Sequence, residues 1–261
     1  MLDVIEHPVR AEGAHAGERI RELRLARPPV NALNTELLRA LSAGVAAAAS
    51  DAALIISGQP GMFSAGLDVR TLLTLDREGV AALFLELWRV QHAIACSKVP
   101  VVIGVTGHSP AGGTVLAIHG DYRVMAQGDF RMGLNEAQVG LFPGPLIFAA
   151  FRRLVGGHAA QLLTRGALID PAAALRTGLV DELCEPAQVV PRALAVAREL
   201  CAVPRGPMLR TRAMVRRELI DLFGNPGHAL IHEREFAAMG VDMWFVPETQ
   251  ERLKAAFLKP R

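Results

Sequence analysis

An α/β fold followed by a helical region is what three observations predict for this 261-residue chain. Short apolar or β-branched runs at Ala53–Ser57, Val101–Val105 and Tyr122–Ala126 read as buried strands. Segments with apolar residues three and four apart separate them and read as amphipathic helices. After about Pro143 the strand-like runs give way to helical patterns. No repeat of fixed period and no low-complexity linker interrupts the chain, so one core with a helical C-terminal extension is the simplest organisation.

In chain order, Ile20–Leu25 alternates in part as a strand and is broken by Arg27-Pro28-Pro29. Asn34 can cap the next helix, with Glu36 in its first turn and Leu37, Leu38, Leu41 and Val45 on one face. Gly58-Gln59-Pro60-Gly61 forms a turn after the strand Ala53–Ser57. A long helix over about Gly79–Ser97 buries Val80, Leu83, Phe84, Leu87 and Ile94. Val101–Val105 leads into a loop at Gly107–Gly113, and a helix starts at Thr114. Helices are then expected at Pro145–Val155, His158–Arg165, Pro171–Arg176, Val189–Cys201, Met208–Leu222, His228–Met239 and Asp242–Leu258, with Pro247 near a helix start.

Composition narrows the function. Hydrophobic residues are 51% and charged residues 21%, enough for a sizeable core and against disorder. The 28 basic and 26 acidic residues leave +2, too balanced for a nucleic-acid or anionic-membrane surface. The only lysines are Lys98, Lys254 and Lys259, and aromatics, at 5%, are too scarce to suggest base stacking. Cys96, Cys184 and Cys201 are odd in number and form no C-x-x-C pair, which argues for a reducing compartment. The opening residues MLDVIEHPVRAEG carry Asp3 and Glu6 and lack the apolar run of a signal or transit peptide. A cytoplasmic location is expected, mitochondrial only if a presequence is missing. Val99–Gly120 is uncharged and long enough to span a bilayer, but Pro100, His108, Pro110, His119 and its glycines point to a buried strand, loop and helix.

Three segments could carry chemistry. Phe63-Ser64-Ala65-Gly66-Leu67-Asp68 follows a buried strand and opens a helix; its small residues would let a ligand approach free backbone N–H groups, or they form only a tight connection. Gly107-His108-Ser109-Pro110-Ala111-Gly112-Gly113-Thr114 has the same context, and two such sites could aim two amides at one oxygen, as an oxyanion hole requires. The same letters resemble the G-x-S-x-G nucleophile elbow of hydrolases, with Asp181 and His228 in the right chain order. Against that, Pro110 follows Ser109 and has no N–H for an oxyanion, and Ala111 stands where glycine is expected. In the third segment, Gly133-Leu134-Asn135-Glu136-Ala137-Gln138-Val139-Gly140, Glu136 is the only charge between Met132 and Phe151. It caps a helix, meets solvent, or has a raised pKa suited to taking and returning a proton. No metal site follows from spacing: His228 and His232 are four apart without a third ligand, and neither a P-loop nor G-x-G-x-x-G occurs.

Arg27-Pro28, Asn31-Ala32-Leu33-Asn34, Phe63 to Asp68, Pro110-Ala111-Gly112-Gly113, Asp121-Tyr122-Arg123, Gly133 to Glu136 and Ala172 to Asp181 together resemble the crotonase (enoyl-CoA hydratase/isomerase) superfamily over roughly residues 20 to 185. Within it the segments look like the mitochondrial-type Δ3,Δ2-enoyl-CoA isomerase branch. The resemblance implies a spiral of ββα units over residues 1–190 and a helical trimerisation region over 191–261, giving a homotrimer or dimer of trimers. It implies an acyl-CoA thioester substrate bound by Ala65, Gly66, Leu67, Asp68, Val69 and Gly112, with Arg70 near a CoA phosphate. The Leu67 and Gly112 amides would hold the thioester oxygen and Glu136 would be the catalytic base, with no metal or redox cofactor. Hydratases of the family use a second glutamate, whose place is taken here by Val115, so proton relocation is the expected chemistry. A hydratase, another acyl-CoA enzyme and a non-catalytic acyl-CoA binder are the alternatives. The resemblance weakens after Gly140, where Leu141-Phe142-Pro143-Gly144-Pro145 should shape the acyl pocket.

Overall fold

Strands that are apolar on both sides must be covered on both faces, and the chain does this with helices. The computed structural model describes residues 1–9, 18–224 and 232–258. β1 (Leu2–Pro8), which the sequence pattern did not disclose, pairs antiparallel with β2 (Arg19–Leu25). Asn34 accepts the Leu37 N–H at 2.9 Å and caps α1 (Thr35–Ala47), which buries the four predicted apolar residues. β3 (Ala53–Ser57) is buried throughout and is followed by β4 (Gly61–Met62), the single turn α2 (Val69–Leu72) and α3 (Arg77–Ala95). β5 (Val101–Val105) runs into β6 (Gly107–Pro110) and α4 (Gly112–Ala117), then β7 (Tyr122–Ala126) into β8 (Met132–Gly133).

The ββα spiral lies in this succession. The first strand of each pair, β3, β5 or β7, joins one sheet, and the second, β4, β6 or β8, joins another. The small sheet runs β4-β6-β8, all parallel. α5 (Gly144–Val155), α6 (His158–Thr164) and α7 (Pro171–Arg176) lead to β9 (Glu182–Cys184), which completes a six-stranded sheet in the order β1-β2-β3-β5-β7-β9. β2 onward is parallel. α8 (Val189–Ala202) covers one face with Val189, Ala193, Val196 and Ala197. The larger core lies on the other face, where α3 packs between α1 and a C-terminal helix, Glu233–Trp244.

The helix expected over Met208–Leu222 is two, α9 (Arg205–Val215) and α10 (Arg217–Gly224), because Arg216 turns inward between them. Only 3% exposed, Arg216 donates to Asp121 at 2.7 Å and to the carbonyls of Ala95 and His119 at 3.0 and 2.8 Å. Burial lowers its pKa to about 10, still charged at neutral pH. Asp121 also accepts the Val101 N–H and both ends of the Arg212 guanidinium, while Arg123 pairs with Asp181 at 2.6 Å. The Asp121-Tyr122-Arg123 segment is thus a structural anchor. α11 (Glu233–Trp244) and α12 (Pro247–Phe257) close the chain, with Pro247 in the first turn of α12 as predicted. The first part of the helix expected from His228 lies outside the described residues. Among the described residues no helix is long and apolar enough to cross a membrane.

Arg216→Ala leaves Asp121 to Arg212 alone and takes the buried donor from the Ile94, Ala95 and His119 carbonyls, and should lower the unfolding free energy by about 3 kcal/mol, read as a shifted denaturation midpoint.

Candidate active site

The first of the three segments is held by the Arg27–Asn34 stretch. Asn31, at φ 50°, accepts the Arg27 N–H and donates through Nδ2 to the Met62 and Phe63 carbonyls. Ser64 donates to Asn31 O at 2.7 Å, and the backbone joins Ala65 to Val30, Leu33 to Gly66 and Asp68 to Leu33. Arg27 reaches Asp68 at 2.6 Å, and Asp68 also caps α2 by accepting the Thr71 N–H. Burial opposes ionisation of Asp68, but the Thr71 N–H and the Arg27 guanidinium outweigh it and hold the carboxyl below its usual range.

The second segment approaches the first at van der Waals distance. Ala111 takes φ 47°, a conformation rare for a residue with a Cβ, and caps α4 so that Gly112 is its first residue. A Cβ placed on Gly66 (φ 85°) would lie 3.0 Å from Gly112 N. One placed on Gly112 would lie 3.1 Å from Gly66 Cα and 3.3 Å from Leu67 N. The Leu67 and Gly112 amides are therefore neighbours, and among the described residues neither donates a hydrogen bond. Thr114 ties this turn to the third segment, donating to Ser109 O and accepting the Gly133 N–H at 2.9 Å.

Glu136 begins a short 3₁₀ turn, Glu136–Val139, which Gly140 ends at φ 82°. Its Oε2 is buried without a hydrogen-bond partner, and among the described residues no cation pairs with it. Desolvation drives its pKa from 4.5 up to about 7, against a small opposing contribution from its own N–H.

All three segments open onto one cavity of about 280 Å³. Ala65 and Leu67 line it from the first segment with Val69 of α2 beside them, Pro110, Ala111 and Gly112 from the second, and Asn135, Glu136 and Val139 from the third. Val115 lines it from α4, Phe84 and Leu87 from α3 and Ile147 from α5. α11 adds Phe236, Met239, Gly240, Met243 and Trp244, and α12 adds Leu253 and Phe257. Two adjacent free amides, an ionisable carboxyl poised near neutrality and an apolar chamber suit a carbonyl compound that gains negative charge on oxygen while a proton moves.

The family model described as enoyl-CoA hydratase/isomerase matches residues 15–219. This chain belongs to the enoyl-CoA hydratase/isomerase family. It is similar to human mitochondrial enoyl-CoA delta isomerase 1, at 30% identity over 77% of this chain and 69% of that protein. A probable enoyl-CoA hydratase of Mycobacterium leprae is 27% identical over 94% of this chain and 93% of that one. Among solved structures, human mitochondrial delta3-delta2-enoyl-CoA isomerase superposes with a TM-score of 0.86 at 25% identity, covering 98% of this chain and 96% of that one.

Of the residues singled out in the sequence, Ala65, Leu67, Val69, Gly112 and Glu136 meet at the cavity of this family member. Gly66 supports the approach from behind, and Asp68 faces Arg27 and α2 instead of the cavity. Arg70 is exposed. Ser109 is fully buried, does not line the cavity and has a neighbour without an N–H, while Asp181 is engaged by Arg123, so among the described residues nothing assembles a hydrolase triad. His228 lies outside the described residues, and Glu235 caps the His232 N–H. Among the described residues no group of three His, Cys, Asp or Glu could hold a metal ion. Sequence reasoning missed the contributions of α11 and α12. Helices were expected there, but nothing in the letters said what they would face.

Gly112→Ala would press a methyl against the Gly66–Leu67 backbone and the Leu33 side chain, shift the two amides apart by a few tenths of an ångström, and should reduce turnover about a hundredfold, measured as kcat with the fold checked by circular dichroism. Glu136 is more acidic unfolded than folded, so its own contribution to stability is fully present below about pH 4.5 and is lost as pH rises through about 7, by about 3 kcal/mol in all. Glu136→Gln removes this loss, and its melting temperature relative to the parent should therefore be higher at pH 8 than at pH 5.

Proposed function

We propose that this chain is a Δ3,Δ2-enoyl-CoA isomerase of fatty-acid β-oxidation. The observation that carries the reading is a single unpaired carboxyl, Glu136, facing a cavity where Val115 supplies only hydrocarbon. Adding water across a double bond needs one group to activate the water and another to manage the second proton. Moving the bond needs one base that gives back what it takes.

In this mechanism the thioester oxygen of a 3-enoyl-CoA sits between the Leu67 and Gly112 amides. Ionised Glu136 takes a proton from the carbon beside the carbonyl, and the electron pair passes to the thioester oxygen as an enolate. The amides stabilise that charge and, being held by the Asn31 and Thr114 contacts, need no reorganisation as it forms. Protonated Glu136 then returns the proton to the gamma carbon, giving conjugated 2-enoyl-CoA. A base with a pKa near 7 can do both at neutral pH. Proton and electrons balance within the substrate, so the step calls for no redox partner, and CoA enters as part of the substrate. A homotrimer or dimer of trimers belongs to the same proposal; Met214 and Val215 on α9, 79% and 69% exposed, support a further surface to be covered.

The second reading is a hydratase, favoured by the similarity to the probable hydratase of Mycobacterium leprae. The two separate in one assay, following the absorbance of the conjugated thioester with 3-enoyl-CoA and 2-enoyl-CoA substrates. Absorbance should appear from the former, with kcat rising through about pH 7 to a plateau as Glu136 ionises. Glu136→Gln should remove roughly a thousandfold of that rate while acyl-CoA still binds, and Ser109→Ala should leave it intact. Hydration of the 2-enoyl substrate with no isomerisation would overturn the proposal.

A further inference from the structure

Gly240 lies within α11, has no left-handed φ, and occupies a position where alanine is the better helix former. Backbone conformation therefore does not call for glycine there, but space does. A Cβ on Gly240 would lie 2.6 Å from Phe84 Cγ and 2.7 Å from both Phe84 Cδ atoms. The Phe84 ring rests against the bare α11 backbone, with Phe236 edge-on to it at a centroid distance of 6.3 Å. Both Gly240 and Phe84 belong to the cavity wall. α11 itself is anchored, because Phe236 and Trp244 on the same helix are 5% and 1% exposed. A bulkier residue 240 would thus drive the ring into the cavity more readily than it would lift the helix.

We propose that Gly240, by letting Phe84 stand back, sets how much acyl chain the cavity accepts, and that the acyl groups it takes are apolar beyond the reacting carbons. This rests on the acyl-CoA reading above and assigns its substrate class. Apart from Asn135, Glu136 and the Trp244 indole, the lining side chains are hydrocarbon or thioether, so a hydroxyl or carboxyl further along the chain would be buried without a partner. A cavity of about 280 Å³ holds about nine groups the size of a water or methylene, enough for an acyl chain of about eight to ten carbons.

The test is calorimetric titration of the intact protein with saturated acyl-CoA thioesters of increasing length, which carry no double bond to move. Affinity for the parent should rise roughly tenfold for every two carbons added and stop rising at about eight to ten carbons. Phe84→Leu should move that break to longer chains. Gly240→Ala should move it to shorter ones, with the loss growing with chain length. A break at the same length in both variants, or a loss equal at every length, would overturn the gauge. Should Gly240→Ala fail to fold, the Phe84→Leu shift alone decides it. Should 3-enoyl-CoA not be isomerised while the break still moves, the isomerase reading falls and the gauge stands. If no acyl-CoA binds the parent, both fall.

Discussion

The contact between the Gly66–Leu67 and Ala111–Gly112 backbones is the constraint on which the rest of the structure depends. Two peptide groups approach so closely that a side chain on Gly66 or Gly112 would force the opposite segment to shift, and both chains must arrive at fixed angles. The double-sheet winding makes this possible: β4 and β6 pair in parallel and deliver consecutive strand-to-helix connections side by side. Asn31, Ser64 and Thr114 then hold the connections with side-chain hydrogen bonds that ordinary turn chemistry would not supply. Ala111 bears a positive φ for the same end, since the chain must reverse sharply to leave the Gly112 amide at the helix start. Leaving these donors without protein partners is the usual arrangement where charge is to be stabilised.

Glu136 is the electrostatic counterpart of this constraint. A carboxyl placed among Leu141, Phe142, Ile147 and the C-terminal helices without a cation loses hydration that nothing replaces. The fold contains many carboxylates with the opposite treatment: Asp121 with Arg212 and Arg216, Asp181 with Arg123, Glu22 with Ser57 and His7. Those ion pairs and hydrogen bonds fasten elements together. Glu136 fastens nothing, and its poise near neutrality is a property of the surroundings, not of the residue. α12 packs against the turn that carries Glu136, and its Thr249 donates to Gly140 O at 2.8 Å, joining the last helix to that turn.

The C-terminal region therefore has more than a peripheral place. α3 is packed between α1, which belongs to the sheet layer, and α11, which belongs to the cavity wall. Phe84 on α3 faces α11, whereas the C-terminal end of α3 is capped by Arg216 from the junction of α9 and α10. One long helix thus transmits the position of the core to the chamber, and the chamber is assembled from residues that are more than 190 positions apart, from Ala65 to Phe257.

Much of this was legible in the letters. β-branched runs identified β3, β5 and β7 because strands buried on both faces need uninterrupted apolar sequence. Asn34 and Pro247 marked helix starts through chemistry that acts within one turn, and the isolated charge at Glu136 flagged a carboxyl with little polar company. β1, β4, β6 and β8 were not legible, since the alternation of β1 is irregular and two- to four-residue strands are formed by pairing partners and not by propensity. The break at Arg216 was hidden too, because it follows from carbonyls far away in the sequence. What the sequence determined by itself was local: where strands and helices run, which small-residue loops expose amides, and which carboxyl stands alone. That the two amides are neighbours, that Glu136 shares their cavity, and that Gly240 leaves room for Phe84 was decided only by tertiary structure, because each is a distance between segments brought together by the winding of two sheets.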